Sequence, residues 1–396
     1  MNIQLFQTIN DYEILKCSSR YFLNNPIDFA FIILVHINKT RMDLEDLGLH
    51  RIARSTLENE SLTGFELGRV IVEHKDRYVV QTTGGIYNAE ITGNLRFSAE
   101  TRADFPTVGD WVKLSVYDDE TAIIVQVLPR YSTLERQAVG KFGEKQLIAS
   151  NVDVAFIMQS VGHDFNLNRL ERYLTICYAS SIKPIVLLSK IDLISDDELS
   201  QLIERIDQRI PSSSIVAISN ENLSGYNKLK DIIEPGNTYC ILGSSGVGKS
   251  SLTNNLLLTN KMEINDVSES NNKGKHTTSH RELLALPNGG VIIDTPGMRE
   301  LGIANESSGV EETFEQIHSL SNNCRFSDCT HTEEVGCAVL KALDTDELDR
   351  ESFNNFHKLK REQEHFSSSI REKRAKDKKL GKLYKSIIQE KQNRKK

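Results

Sequence analysis

The sequence of 396 residues has few cysteines, no long hydrophobic run and no recognisable export signal. Its six Cys are too few for a disulfide scaffold, which excludes the small secreted domains that depend on such bonds. The most apolar stretch, residues 29–37, is far shorter than the ~20 residues that a membrane-spanning helix needs. It also lacks a basic leader and a small-residue cleavage site. These absences argue against secretion and membrane insertion, and we expect a cytoplasmic protein with no membrane contact.

The net charge of −7 hides an asymmetry along the chain. Residues 371–396 hold twelve Lys or Arg against three Asp or Glu, a charge of +9, so the remainder carries −16. A basic tail on an acidic body favours a polyanionic partner such as RNA. A solvated helix end is the alternative interpretation of the same charges. Residues 1–41 differ in character from the rest, and Met42 is a plausible alternative start.

Residues 66–130 have the pattern of short β-strands separated by turns. Segments such as "GRVIVEH", "RYVVQTT" and "TAIIVQVL" alternate apolar and polar residues, and turns recur every eight to twelve residues. This rhythm predicts a small barrel, for which an OB-type nucleic-acid-binding barrel is one option. A purely structural barrel is the other.

From residue 150 onwards, strands alternate with helices. "NVDVAFIMQ", "KPIVLLSK", "SSSIVAIS" and "NTYCILGSS" are predicted strands, and segments of ten to fifteen residues with helical periodicity separate them. This alternation predicts a parallel, doubly wound sheet, in which ligands bind at the carboxyl ends of the strands. After residue 305 the chain becomes helical and polar.

A glycine-rich segment follows the apolar "YCIL" and has the spacing of a phosphate-binding loop, Gly-x4-Gly-Lys-Ser. The glycines let backbone N–H groups point at a phosphate, the next helix adds partial positive charge, and Lys249 reaches the β- and γ-phosphates. Ser250 supplies a hydroxyl ligand for Mg²⁺. A structural glycine turn is disfavoured by the strand–loop–helix context. The expected nucleotide-binding residues are Gly243, Ser244, Ser245, Gly246, Val247, Gly248, Lys249, Ser250 and Ser251.

Two segments after this loop are predicted to sense the γ-phosphate. In "VIIDTPG", Asp294 ends a strand and is placed to hold Mg²⁺, while the amide of Gly297 can contact the γ-phosphate. A strand-ending turn is the alternative. In "GKHTTSHREL", Thr277 or Thr278 can ligate Mg²⁺ only while γ-phosphate is present, which would make the loop a switch.

A motif that reads guanine precedes the phosphate loop. Asp192, at the end of "LLSKID", can accept hydrogen bonds from guanine N1–H and N2–H₂. Adenine offers no such pair, which leaves the carboxylate unpaired at a cost of ~1–3 kcal/mol. Lys190 is expected to pack along the nucleotide and Ser189 to tether the loop. At the next strand end, Ser219 and the amide of Asn220 are expected to meet the guanine edge.

Three cysteines and a histidine form a cluster near the C-terminus. Three thiolates and an imidazole make a closed tetrahedral Zn²⁺ site, with no open position for water, so the predicted role is structural. Cys177 and Cys240 are predicted to be core residues. The cluster consists of Cys324, Cys329, His331 and Cys337.

The order of these motifs is unusual, because ordinary GTPases place the phosphate loop before the base-reading motifs. Here residues 189–192 and 219–221 come first, followed by residues 243–250, the switch threonines and residues 294–297, which is a circular permutation. In this order, and in "GDWV", "RYSTLERQAVG", "FNLNRLERYL", "GKHTTSHREL" and the Cys cluster, the chain closely resembles the ribosome small-subunit-dependent GTPase family (RsgA, also called YjeQ) over residues 65–364.

Two departures from the family pattern fall on the base-reading loops. Ser189 stands where Asn or Thr is frequent, and Asn220 stands where a small Ala is usual. The first departure leads us to expect a modest affinity for guanine nucleotide. Residues 1–41 match nothing in the family pattern.

The resemblance implies a multidomain protein: an N-terminal OB-like β-barrel, a central circularly permuted α/β P-loop GTPase domain and a C-terminal α-helical zinc-binding domain. It also implies the cofactors GTP or GDP, Mg²⁺ and one structural Zn²⁺. The expected divisions are an uncertain N-terminal extension (1–64), an RNA-binding barrel (65–132), the GTPase domain (133–304), the zinc-binding helical domain (305–370) and a basic tail (371–396).

The implied function is a GTPase that binds the small ribosomal subunit and its rRNA and acts late in its assembly, and we expect it to be a monomer. Small GTPases orient water with a Gln after the DxxG glycine, but Met298 stands here and cannot polarise water. Intrinsic hydrolysis is therefore expected to be slow. His276 is the candidate for the missing group, with His280 as a weaker one and a solvated loop residue as the alternative interpretation.

Two other classes of function stay open at this stage. One is a P-loop small-molecule kinase, which the guanine-reading motif disfavours. The other is a guanine-nucleotide-gated RNA-binding module with little catalysis, which Met298 leaves open.

Overall fold

The computed structural model describes residues 44–49, 63–74, 77–137, 145–211, 213–258, 281–294 and 308–367. Within them, strands β1–β13 and helices α1–α9 follow in three groups along the chain. No helix among these residues has the length and apolar character that crossing a membrane would require.

The first group of strands closes into a barrel. Antiparallel pairing joins β1 to β2, β2 to β3, β5 to β4 and β4 back to β1, and parallel pairing joins β3 to β5. The predicted small barrel is confirmed, and it has five strands. Its elements are β1 (Glu66–His74), β2 (Arg77–Thr82), β3 (Ile86–Ile91), α1 (Gly93–Ser98), β4 (Trp111–Val116) and β5 (Thr121–Val127). Alternation accounts for its core: the inward residues include Val70, Val80, Val112, Leu114 and Ile124, all buried.

A hairpin that the sequence did not predict follows the barrel: β6 (Thr133–Gln137) and β7 (Lys145–Ser150) form a separate two-stranded sheet.

The second group forms the predicted parallel sheet, in which β10, β9, β8, β11 and β13 run parallel in that spatial order. The short strand β12 pairs antiparallel with β13. Helices α2 and α3 pack on one face, and α4 and α5 on the other. The elements are β8 (Val154–Ser160), α2 (Leu167–Ala179), β9 (Lys183–Ser189), α3 (Asp196–Arg209), β10 (Ile215–Ala217), α4 (Tyr226–Ile232), β11 (Thr238–Leu242), α5 (Lys249–Leu257), β12 (Arg281–Ala285) and β13 (Val291–Asp294).

The barrel and the parallel sheet share hydrogen bonds, because β12 pairs with β1 through Val72 and Glu282. The two units are thus parts of one 11-stranded sheet. Arg69 of β1 fastens the junction: its fully buried guanidinium donates to the backbone carbonyls of Gly109, Asn151 and Leu47. Leu44 and Leu47 are buried in the core, although the sequence placed them in an uncertain extension.

The third group is helical, as predicted, and packs on α2. Its buried residues, among them Val310, Phe314, Val339 and Leu359, belong to the same hydrophobic cluster as Leu170 of α2. The helices are α6 (Ser308–Thr313), α7 (Glu315–Ser321), α8 (Ala338–Asp344) and α9 (Arg350–Ser367).

Candidate functional site

The glycine-rich segment lies at the carboxyl end of β11, which runs between β8 and β13 in the parallel sheet. Every residue of β11 is buried, and α5 begins directly after the segment at Lys249. Val247 is buried in the core, whereas Ser245 and Gly246 form the exposed tip. The Lys249 Nζ atom donates to the carbonyls of Gly243 (2.8 Å) and Ser244 (2.6 Å). The ammonium group therefore lies across a loop whose form suits a phosphate.

Helix α2 contacts this loop from the side. Asn166 caps the helix by accepting a hydrogen bond from the backbone N–H of Arg169. The Arg169 guanidinium in turn donates to the Ser244 hydroxyl at 2.9 Å. Burial raises the pKa of Tyr173, one turn further along the same helix. The sequence did not single out Arg169, because nothing in a helical pattern shows which loop a side chain reaches.

The guanine-reading motif lies at the end of β9, two strands from β11. Lys190 adopts a left-handed backbone conformation, and the following turn, Ile191–Leu193, exposes Asp192. The Ser219 hydroxyl, from the end of β10, donates to Asp192 Oδ1 at 2.5 Å. The buried Ser219 thus holds one oxygen of the Asp192 carboxylate, while Asp192 itself is exposed to solvent.

The two base-reading loops also contact the phosphate loop. The Ser189 hydroxyl lies 2.8 Å from the carbonyl of Val247. The Asn220 side chain donates to the carbonyl of Gly248 at 3.0 Å. Base-reading and phosphate-binding residues that are separated in sequence therefore lie at one edge of one sheet.

Asp294 is the last residue of β13, the strand beside β11, and so lies at the same edge as the phosphate loop. A hydroxyl from Ser250 and a carboxylate from Asp294 are oxygen donors of the kind that Mg²⁺ prefers. Thr277, Thr278 and Gly297, the other residues predicted to sense the γ-phosphate, lie outside the described residues. The same holds for the candidate catalytic residue His276 and for Met298.

The Cys/His cluster has the geometry of a tetrahedral metal site, since its four ligand atoms lie within 4.8 Å of one another. His331 Nδ1 is 3.7 Å from Cys324 Sγ and 3.4 Å from Cys337 Sγ, and the two sulfurs are 3.8 Å apart. A tetrahedral Zn²⁺ with Zn–S bonds of ~2.3 Å spaces its ligands roughly 3.5–3.8 Å apart. Donor types and spacing, completed by Cys329, fit zinc.

Local hydrogen bonds shape the loop that carries these ligands. Glu334 accepts from the hydroxyl and the N–H of Thr330 and from the N–H of Thr332, and these bonds hold the pKa of Glu334 well below its usual range. Cys337 caps helix α8 by accepting from the N–H of Leu340.

Two cysteines outside the cluster are core residues, as predicted. Cys177 and Cys240 are fully buried, and burial raises the pKa of Cys240 to about 12 and that of Cys177 above its ordinary value. Both thiols therefore stay protonated, which makes them inert.

The face of α2 away from the phosphate loop holds the C-terminal helices. Glu171 accepts two hydrogen bonds from Arg209 and one each from Ser352 and Asn355 of α9. The side chains of Glu171 and Arg209 are only 1% and 4% exposed. One helix thus contacts both the phosphate loop and the C-terminal helices.

Two further segments of the family resemblance have structural roles. In "GDWV", the buried Asp110 accepts from the guanidinium of Arg130, which begins "RYSTLERQAVG", through two bonds of 2.7 Å. Trp111 is buried, and the Arg69 guanidinium lies over its ring. These residues close the barrel and join it to the next unit.

Comparison with known proteins agrees with this geometry. The sequence profile described as RsgA GTPase matches residues 127–304. The small ribosomal subunit biogenesis GTPase RsgA 2 of Vibrio parahaemolyticus is 37% identical over 90% of this chain and 95% of its own length. RsgA 1 of Bacteroides thetaiotaomicron is 40% identical over 82% of this chain and 91% of its own.

Solved structures show the same fold. YjeQ from Thermotoga maritima matches with a TM-score of 0.57 and 24% identity, over 77% of this chain and all of that one. YloQ, described as a circularly permuted GTPase, matches with a TM-score of 0.55 and 25% identity, over 77% of this chain and 97% of its own. With near full-length relatives and a permuted nucleotide site, this chain belongs to the RsgA GTPase family.

Proposed function

We propose that this protein is a GTPase that acts in biogenesis of the small ribosomal subunit, hydrolysing GTP to GDP and phosphate when the subunit stimulates it. One observation carries the proposal: a guanine-reading carboxylate, Asp192, lies at the same sheet edge as a phosphate loop, in permuted chain order. Relatives named for this function match over more than nine-tenths of their own lengths.

The proposed phosphate-binding residues act mainly through the backbone. The N–H groups of residues 243–248 and the start of α5 surround the β-phosphate, and Lys249 moves from the loop carbonyls to the phosphate oxygens. Ser250 and Asp294 are the proposed Mg²⁺ ligands, with Thr277 or Thr278 added in the triphosphate state. When bound, Mg²⁺ would neutralise charge on the β- and γ-phosphates.

Base selectivity follows from the fixed carboxylate. Because Ser219 holds one oxygen of Asp192, the group is oriented before the nucleotide arrives. Guanine pairs with it through two N–H donors, whereas adenine leaves it without a partner, which costs ~1–3 kcal/mol.

Hydrolysis requires a positioned water. Since Met298 cannot polarise it, we assign the water-positioning role to His276 and expect slow turnover without the subunit. The ribosomal subunit would then act by placing this histidine against the attacking water.

Three parts of the chain are proposed to grip ribosomal RNA: the barrel, the zinc-binding helical unit and the basic tail of residues 371–396. The Zn²⁺, held by the Cys/His cluster, is structural. Helix α2 contacts both the phosphate loop and α9. A change at the phosphate loop between the GTP and GDP states can therefore alter the position of the C-terminal helices through α2. GTP would favour binding to the subunit, GDP would favour release, and the free protein would be a monomer.

The deciding experiment measures GTP turnover by the purified protein alone, with small ribosomal subunits and with large subunits, with ATP run in parallel. We expect stimulation by small subunits only, and for GTP only. Equal, slow turnover in every mixture would refute the GTPase proposal in favour of a nucleotide-gated RNA-binding module. Equal use of ATP, or its retained binding by Asp192→Asn, would favour a P-loop kinase.

A further inference from the structure

Two side chains join the base-reading loops to consecutive carbonyls of the phosphate loop. Ser189 Oγ lies 2.8 Å from the carbonyl oxygen of Val247, and Asn220 Nδ2 lies 3.0 Å from that of Gly248. A serine hydroxyl has one proton, and the carbonyl of Gln159 also lies within reach of Ser189 at 3.2 Å. Ser189 can therefore donate to only one of the two carbonyls at a time. When its proton points to Gln159, the Asn220 bond still connects a base-reading loop to the phosphate loop.

The side-chain amide of Asn220 is held in place by hydrogen bonds on the side opposite the phosphate loop. Its Oδ1 accepts from the hydroxyl of Tyr226 at 2.7 Å, and the Asn255 amide donates to that same hydroxyl oxygen at 3.0 Å. Asn255 also donates to the backbone carbonyl of Asn220 at 3.2 Å. The Gly248 carbonyl can only accept, so the Asn220 Nδ2 atom must face it and the Oδ1 atom must face Tyr226. With this orientation, each of the bonds joins a donor to an acceptor.

Tyr226 keeps this arrangement in place. Its side chain is buried, and burial raises the pKa of its phenol to about 12, so the phenol remains a donor at neutral pH. Asn255 belongs to α5, the helix that begins at the end of the phosphate loop. The group of Asn220, Tyr226 and Asn255, called here the loop tether, thus connects the guanine-reading side of the site to the phosphate helix.

The close approach has a steric requirement. Gly248 has φ +99°, and a Cβ placed on it would lie 2.5 Å from Asn220 Nδ2. Glycine at position 248 therefore leaves the room that the Asn220 amide needs for this contact. A guanine nucleotide spans the two loops, so fixing their separation beforehand lowers the entropy lost on binding.

We propose that Asn220 is a positioning residue for guanine nucleotide, sharing with Ser189 the task of holding the base-reading and phosphate loops together. The two amide protons of Asn220 thus supplement the single proton of the Ser189 hydroxyl. The inference rests on the proposed nucleotide site.

The test is a set of dissociation constants for a fluorescent GDP analogue and for the corresponding ADP analogue. Asn220→Ala should weaken GDP binding roughly five- to tenfold, the value of a lost hydrogen bond and its preorganisation. Tyr226→Phe, which keeps the amide but removes its donor, should weaken it by a smaller factor. Ser189→Asn added to Asn220→Ala should restore most of the affinity, since asparagine supplies two protons.

Asn222→Ala is the matched control. It removes the same amide from the same loop, where the Asn222 side chain is exposed and accepts from the backbone of Ser224 rather than contacting the phosphate loop. GDP affinity in this variant should stay within twofold of the parent protein, and guanine preference should persist in every variant because Asp192 is intact.

GDP affinity of Asn220→Ala equal to that of Asn222→Ala would overturn the proposal, as would failure of Ser189→Asn to rescue. If Asn220→Ala does not fold, an unchanged GDP affinity in Tyr226→Phe would likewise overturn the proposal. These results differ from a failure of the proposed function, in which the parent protein itself would not prefer GDP to ADP.

Discussion

The buried carboxylate of Glu171 allows a direct test of what holds the C-terminal helices on the nucleotide-binding sheet. It lies on α2 and accepts hydrogen bonds of 2.8 and 2.9 Å from Arg209, 3.0 Å from Ser352 and 2.6 Å from Asn355. The substitution Glu171→Ala removes all four bonds and leaves Arg209, whose side chain is 4% exposed, without its buried partner.

Breaking a buried ion pair by removing one member costs about 3–5 kcal/mol. The lower end applies here, because Asp349 and Glu351 lie 3.4 and 3.2 Å from the Arg209 guanidinium and offset part of the loss. Both are well exposed, so their contribution is screened. We expect a loss of about 3 kcal/mol, which is roughly a hundredfold increase in the opening equilibrium of α9.

Amide hydrogen exchange of peptides from α9 measures this opening, with peptides from β8 as an internal reference. The matched control is Arg172→Ala on the same helix, which breaks a pair with Glu362 whose side chains are 28% and 23% exposed. That pair should contribute about 1 kcal/mol or less. If exchange of α9 rises no more in Glu171→Ala than in Arg172→Ala, the buried network does not hold the C-terminal helices and the reasoning is wrong.

Three further predictions concern the metal cluster, the barrel junction and pH. Cys329→Ser should lower zinc content, measured by mass spectrometry of the purified protein, from one ion per chain to a small fraction, whereas Cys177→Ala should retain it. Gly109→Ala should lower the free energy of unfolding in urea by at least ~3 kcal/mol, because the new Cβ would lie 2.1 Å from the Ser150 carbonyl oxygen and the backbone has φ +95°. An unchanged unfolding midpoint would show that this close contact at the barrel junction is not required. Burial raises the pKa of Tyr226 from 10.0 to about 12, so the folded state holds this proton more tightly than the unfolded state. The resulting contribution to the free energy of unfolding is present below pH 10 and should be lost as the pH rises towards 12. Tyr226→Phe should make the unfolding midpoint less dependent on pH across this window.

The sequence was most informative where a function needs consecutive residues. The phosphate loop, the segment ending in Asp192 and the Cys/His cluster each lie within a short stretch, and their residue types follow from the chemistry of phosphate, guanine and zinc. The strands of the barrel and of the parallel sheet were also readable, since alternation and buried runs are local patterns. The polar β6 and the five-residue β12 carry too little pattern, and both were missed.

Contacts between distant residues could not be predicted in this way. Arg69 was an ordinary charged residue in a predicted strand, yet it is fully buried and donates to three carbonyls from three segments. Arg169 and Glu171 were merely helical, although one meets the phosphate loop and the other the C-terminal helices. Their roles depend on which buried polar group needs a partner, and that is settled by packing.

By itself, then, the sequence determined the chemistry of this protein: a guanine nucleotide, its permuted motif order and a zinc-type cluster, because each is encoded by side chains close together in the chain. Only the tertiary structure decided how the units are joined. Strand β12 pairs with β1 to merge barrel and parallel sheet, α2 lies between phosphate loop and α9, and Asn220 reaches Gly248. Such connections link residues far apart in sequence, and they form because an unpaired polar group costs free energy in the packed core, so most buried donors and acceptors find partners there.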